Sequence, residues 1–269
     1  MPDIAIGQYY PADSILHKLD PRVKLVGTLD YIVCIFLVRG VAGYLFAAAV
    51  LAAFVALSRV PVRLIFKSLK PLWFILIVTA LFNLFLTPGN LLAELWIFKI
   101  TDAGIVAAVR LALRLILLVL GCCIMTLTTT PNQLTDGLEK LFSPLKVLHV
   151  PVHEIAMMMS IALRFIPILM EETDKIRKAQ LARGADFDSG KFMQRIRGLI
   201  PILVPLFVSA FRRAGDLALA MESRCYHGGE GRTRMKPLHF LPRDHAAFAV
   251  LMAILAVSIL FCIFGKGIL

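Results

Sequence analysis

Five long apolar runs constrain this chain more than any other feature. They lie at about 24–39, 41–58, 71–87, 104–127 and 245–264. Each approaches the roughly 20 residues a helix needs to cross the hydrocarbon core of a bilayer. With 59% of its 269 residues hydrophobic and a mean hydropathy of +0.80, the chain is too apolar for an ordinary soluble domain. The expected fold class is all-α: a polytopic integral membrane protein with about five transmembrane helices, plus further long helices outside them. Three segments are expected: 1–130 with four spans, 131–243 as one charged segment, and 244–269 with the final span.

Charge orients these runs. Only a tight Arg39-Gly40 turn separates the first two. Arg59, Arg63, Lys67 and Lys70 follow the second run with no acid among them, as in a cytoplasmic loop, whereas Glu94 and Asp102 outweigh Lys99 after the third. The N-terminus and the charged segment are thus expected inside, and the C-terminus outside. The net charge of +11 then reflects loops facing anionic lipid, and no nucleic-acid partner is expected. Residues 1–20 hold Asp3, Asp13 and Asp20 and no basic stretch before an apolar core, so no cleavable signal peptide is expected.

Residues 131–243 carry 17 Lys and Arg against 11 acids, yet contain apolar runs at 155–170 and 198–211. Arg164 and Pro167 interrupt the first, Pro201 and Pro205 the second. These runs read as long helices lying along the membrane surface; spanning is the alternative, since Pro is tolerated in membrane helices. Thr130-Pro131-Asn132 opens a helix through about Leu141, and Pro144 and Pro151 then break the chain. A second helix runs from Val152 to Arg183, with Gly184 as its cap, and a third from Lys191 to about Arg224.

Two Arg tripeptides, Ala182-Arg183-Gly184 and Ser223-Arg224-Cys225, therefore end long helices. A cation there offsets the negative end of the helix dipole. Between small neighbours, its guanidinium fork can also enter a partner's groove and pair with carboxylates or carbonyls. The plain alternative is a pair of solvated helix-end cations.

Other candidate chemistry is weaker. Gly184–Lys191 is a near miss for a phosphate-binding loop, with one residue too many and Phe192 where Ser or Thr would bind magnesium. His149 and His153 stand four apart, but Pro151 between them breaks the face a metal pair needs. Asp30, Arg110 and Arg114 lie inside spans and read as an intramembrane ion pair or as snorkelling arginines, with an ion pathway as the functional alternative. The five cysteines form no CxxC pair and read as small buried hydrophobes. Met157-Met158-Met159 reads as a plastic apolar surface for partners. No catalytic, metal-binding or cofactor-binding residue is expected.

Several strings, taken in order, resemble the transmembrane T component of energy-coupling factor (ECF) transporters. They are Leu19-Asp20-Pro21-Arg22-Val23-Lys24-Leu25, Thr128-Thr129-Thr130-Pro131, Pro151-Val152-His153-Glu154-Ile155, Ala162–Pro167, Ala179–Asp186 and Gly228–Thr233. The resemblance implies a scaffold subunit of a vitamin or metal-ion importer in a bacterial or archaeal plasma membrane. It implies that Arg183 and Arg224 end coupling helices and enter grooves on two ATP-binding-cassette ATPase subunits, which bind ATP and Mg. Ala182, Gly184, Ser223 and Cys225 are the small flanks. Cys225 stands where the family more often has Gly, so Gly228-Gly229 is expected to take over the helix ending. The resemblance also implies a membrane-embedded S component, for which Met157, Met158, Met159, Arg164 and Pro167 are the candidate docking platform. Two other classes compete. A self-sufficient secondary transporter would show inverted repeats, and a membrane enzyme would show clustered His or acids; the sequence shows neither.

Overall fold

The computed structural model describes residues 9–38, 40–88, 91–95, 98–185, 187, 192–229 and 237–264. Its helices are α1 (Pro21–Leu37), α2 (Gly40–Ser58), α3 (Val62–Lys67), α4 (Trp73–Leu86), α5 (Asp102–Thr128), α6 (Pro131–Leu141), α7 (Val152–Ala182), α8 (Phe192–Glu222) and α9 (Pro242–Phe264). The all-α reading holds, with one addition. Strands β1 (Leu91–Leu95) and β2 (Phe98–Thr101) pair antiparallel as a short hairpin between α4 and α5. Packing divides the chain into two units, residues 1–137 with 238–269, and residues 138–237.

In the first unit, local chemistry sets the helix ends. Asp20 caps α1 by accepting the Arg22 N–H, with Pro21 at the first helical position. This starts α1 ahead of the apolar run itself. Thr101 caps α5 by accepting the Gly104 N–H, while its own hydroxyl donates to the Thr87 carbonyl at 2.8 Å, drawing the end of α4 to the start of α5.

Helix directions follow from who meets whom. Asp20 bonds Asp244 and Gly27 abuts Leu251, so residue numbers rise together and α1 and α9 run parallel. Lys24 reaches the Thr128 carbonyl and Tyr31 the Leu117 carbonyl, so α5 runs against α1. The Tyr31 and Phe54 rings meet edge-on, and Gly43 lies against Val38, so α2 also runs against α1. Along the chain, α1, α2, α4, α5 and α9 alternate up, down, up, down, up. The core of this bundle is Tyr31, Ile35, Val38, Leu51, Leu120, Ile124 and their neighbours. Helix α4 buries no residue, and Trp73 and Phe74 are 62% and 76% exposed. In a membrane that surface is not a defect, because lipid chains cover it.

Among the described residues, six stretches are long and apolar enough to cross a membrane: 40–58, 62–86, 102–128, 152–182, 198–222 and 242–263. Four of them correspond to expected spans. The expected first span falls on α1, whose 17 residues are shorter than any of the six. The other two, in α7 and α8, are the runs read above as surface helices. Length and composition alone allow them to span.

The second unit is built on α7 and α8. Glu172 meets Ser209 and Arg213, Gln180 meets the Pro201 carbonyl, and Ile161 and Met221 line one cleft. Numbers rise along one helix as they fall along the other, so the pair is an antiparallel hairpin. Helix α7 continues through Pro167, and α8 through Pro201 and Pro205.

Candidate functional site at the ends of two long helices

Arg183 is the C-cap of α7. The Gly184 N–H bonds the Leu181 carbonyl and the Ala185 N–H bonds the Gln180 carbonyl, both at 3.0 Å, with Gly184 at φ +85°. This is a Schellman ending, which satisfies the last helical carbonyls while a left-handed residue halts the helix. Arg224 repeats it. The Cys225 N–H bonds the Glu222 carbonyl at 2.9 Å, the Tyr226 N–H bonds the Met221 carbonyl at 3.0 Å, and Cys225 stands at φ 55°. Helix α8 therefore ends on Cys225 itself, which corrects the expectation that Gly228-Gly229 takes that role. Gly228 is left-handed too, at φ +101°, but lies beyond the cap. A side chain bearing Cβ sits where the first motif has Gly, at some local strain.

Ala182, Arg183, Gly184, Ser223, Arg224 and Cys225 are all exposed. Among the described residues neither arginine has an ion-pair partner. Because the hairpin is antiparallel, the C-terminal end of α7 lies beside the start of α8, and the reverse. The two arginines thus stand at opposite ends of two helices of 31 residues each, roughly 40 Å apart at about 1.5 Å of rise per residue.

The candidate platform is scattered. Met157 is half-buried, whereas Met158, Met159, Arg164 and Pro167 are exposed. Consecutive residues project about 100° apart around a helix, so three successive methionines cannot share one face. His153 Nδ1 lies 3.1 Å from Glu139 Oε1. His149 instead ends a short 3-10 turn in a left-handed conformation. Among the described residues no group of His, Cys, Asp and Glu gathers as a metal site. Gly184 of the phosphate-loop-like string is a helix cap, and residues 186 and 188–191 lie outside the described residues. No ion pair joins Asp30 to Arg110 or Arg114 among the described residues; the Arg114 guanidinium lies 5.7 Å from the Phe36 ring centre. Of the cysteines, Cys34 is buried and Cys225 exposed.

A second constellation was not anticipated. Asp244, 1% exposed, takes the Asp20 N–H on one carboxylate oxygen and the Leu241 N–H on the other, both at 2.9 Å. Lys24 donates to the carbonyls of Thr128 and His17 at 2.9 and 3.2 Å. Arg22 donates to the Leu238 carbonyl at 3.3 Å and covers the Phe240 ring at 4.9 Å. The Asp20–Lys24 string thus locks the starts of α1 and α9 to the end of α5. Sequence gave one faint signal for Asp244, an acid in the first turn after Pro242.

A family model described as CbiQ, cobalt transport protein, matches residues 12–235. The energy-coupling factor transporter transmembrane protein EcfT of Clostridium kluyveri is 51% identical over 260 residues, 96% of each chain. The chain belongs to this family. Proteins of the same name from Thermosediminibacter oceani and Bacillus subtilis are 51% and 45% identical, covering 92% and 95% of this chain and 94% and 97% of their own. The resemblance read from the ordered strings is therefore borne out: the chain is the transmembrane, or T, component of an ECF transporter, and a multi-pass membrane protein. Within this EcfT family member, the string around Asp20 is the latch just described, and Ala179–Gly184 is the first Arg ending.

Proposed function

We propose that this T component is the non-catalytic coupling subunit of an ATP-driven importer for a vitamin or metal ion. Arg183 and Arg224, between their small flanks, each enter a groove on one of two ABC-type ATPase subunits, a homodimer or a heterodimer. Those partners bind ATP and Mg and hydrolyse the nucleotide; this chain holds no cofactor. A membrane-embedded S component captures the substrate and docks on α7 and α8, with Met157, Met158, Met159, Arg164 and Pro167 as candidate contacts.

One observation carries the reading: two exposed arginines occupy the same place in the same helix ending, at opposite ends of one hairpin. A repeated anchor at that spacing suits two like partners side by side better than a single groove. Rigid helices pinned at their tips pass the partners' motion on as motion of the hairpin. Orientation follows charge. Arg22, Lys24 and Arg243 lie at the same bundle end as the α2–α4 connection with Arg59, Arg63, Lys67 and Lys70, an excess of cations that supports a cytoplasmic position for that end and the N-terminus, with the C-terminus outside.

The test is co-purification from mild detergent with the candidate ATPase pair. Wild type retains both ATPases, Arg183→Glu and Arg224→Glu each weaken the complex, and the double variant loses it while staying monodisperse. Retention by the folded double variant overturns the reading. If wild type purifies alone and moves a solute into liposomes without ATP, it is a secondary transporter.

A further inference from the structure

Among the described residues, few side-chain ties join α7 to α8. Glu172 makes the strongest. Its Oε1 accepts from Ser209 Oγ at 2.5 Å and its Oε2 from Arg213 Nη2 at 2.8 Å. The Glu172 side chain is 22% exposed and the Arg213 side chain 40%. With both oxygens engaged by donors one helical turn apart on α8, the tie fixes orientation as well as distance. A weaker tie, Gln180 Nε2 to the Pro201 carbonyl at 3.3 Å, lies toward the Arg183 end.

The other side of Glu172 is different. Toward the Arg224 end, α7 and α8 leave a cleft of about 290 Å³, lined by Ile161, Phe165 and Leu169 from α7 and by Ala210, Ala214 and Ala218 from α8. The three alanines recur every four residues and give α8 a smooth, shallow face there. Arg213 borders this cleft, and its Nε is buried without a partner. The hairpin is therefore tied on its Arg183 side and loosely packed on its Arg224 side, with the ion pair at the division. From Arg213 to Arg224 the arm is roughly 16 Å long at about 1.5 Å per residue.

We propose that Glu172 is a positioning residue for energy coupling: its ion pair with Arg213 is the fulcrum about which the Arg224 arm of α8 moves against α7. The proposal rests on the coupling reading above and adds where the motion is hinged. Movement of an ATPase gripping Arg224 swings the arm over its alanine face, while the bidentate tie and the Gln180 contact keep the Arg183 end in register. Loss of the tie leaves both anchors and both grips in place but lets the arm drift, so the partners' motion no longer sets the hairpin geometry.

The experiment places spin labels at Lys178→Cys on α7 and Leu219→Cys on α8, both exposed positions, in a chain whose five native cysteines are replaced by Ser. The labelled T component, in complex with its ATPases in lipid nanodiscs, is measured without nucleotide and after trapping with ATP and vanadate. The parent chain shows a distance that shifts on trapping. Glu172→Gln still co-purifies with both ATPases, but its distance distribution is broad and loses most of the shift. Pairing Glu172→Arg with Arg213→Glu restores at least half of it. Ser209→Ala, which removes one donor and keeps the charge pair, gives an intermediate result and serves if Glu172→Gln fails to accumulate. A full shift in Glu172→Gln, no recovery in the swap, or no shift in the parent complex overturns the fulcrum. Failure of the wild-type chain, with its cysteines intact, to hold the ATPases at all overturns the coupling reading instead.

Discussion

The carboxylate of Asp244 accepts the backbone N–H of Asp20 at 2.9 Å, across 224 residues of chain. Its second oxygen takes the N–H of Leu241, as an acid at the third helical position does in a capping box. One buried carboxylate thus caps its own helix and fixes where a distant helix begins. Asp244→Ala leaves the buried Asp20 N–H unpaired, at about 1–3 kcal/mol, and the part-buried Leu241 N–H at less. Thermal unfolding in detergent is expected to show a large loss for Asp244→Ala and a smaller one for Asp244→Asn, which keeps one acceptor. Equal stability in both variants contradicts the latch.

Cys225 holds a left-handed conformation at φ 55°, where its counterpart Gly184 holds φ +85° without strain. An L-residue there costs roughly 1–2 kcal/mol, and glycine returns about 0.5–1 of that through greater freedom in the unfolded chain. Cys225→Gly is therefore expected to raise the unfolding midpoint slightly, and Gly184→Ala to lower it. Unfolding curves of the two variants, measured side by side, give opposite signs if the two endings are equivalent.

Gly121 leaves room for the Tyr31 ring, with which a Cβ at 121 would collide. The ring has little freedom to withdraw, because Tyr31 is 4% exposed and its hydroxyl donates to the Leu117 carbonyl at 3.0 Å. Gly121→Ala is expected to cost about 1–3 kcal/mol by overpacking. Pairing it with Tyr31→Phe, which frees the ring from that bond, recovers part of the loss in a double-mutant cycle.

His17 lies Nε2 to the Tyr10 carbonyl at 2.9 Å and Nδ1 to Ser14 Oγ at 2.6 Å. A carbonyl only accepts, so the proton belongs on Nε2, and Nδ1 accepts from the Ser14 hydroxyl. Burial holds the imidazole below its ordinary pKa, against the raising effect of the Tyr10 carbonyl. A depressed folded-state pKa favours the neutral ring. Its contribution is present above the unfolded value of about 6.5 and is lost as pH falls through the folded value. Wild type is expected to lose more thermal stability than His17→Gln between neutral and mildly acidic pH; parallel losses contradict this.

Much of the fold was legible in sequence because membrane helices are specified locally. Apolar run length and Thr130-Pro131 fixed α1, α2, α5, α6 and α9 to within a few residues, since each such helix satisfies its own backbone hydrogen bonds. The Arg endings were legible for the same reason: helix caps are built from neighbouring residues. The short hairpin between α4 and α5 was not, because four or five residues per strand carry too little periodicity.

The sequence by itself determined that this chain is helical and membrane-embedded, and that it ends two long helices on arginine. Only tertiary structure decided that Asp244 reaches Asp20. It alone paired Glu172 with Ser209 and Arg213, and set the two arginines at opposite ends of one hairpin. Those facts depend on which faces of distant helices meet, and an apolar run specifies that a face is buried without specifying its partner.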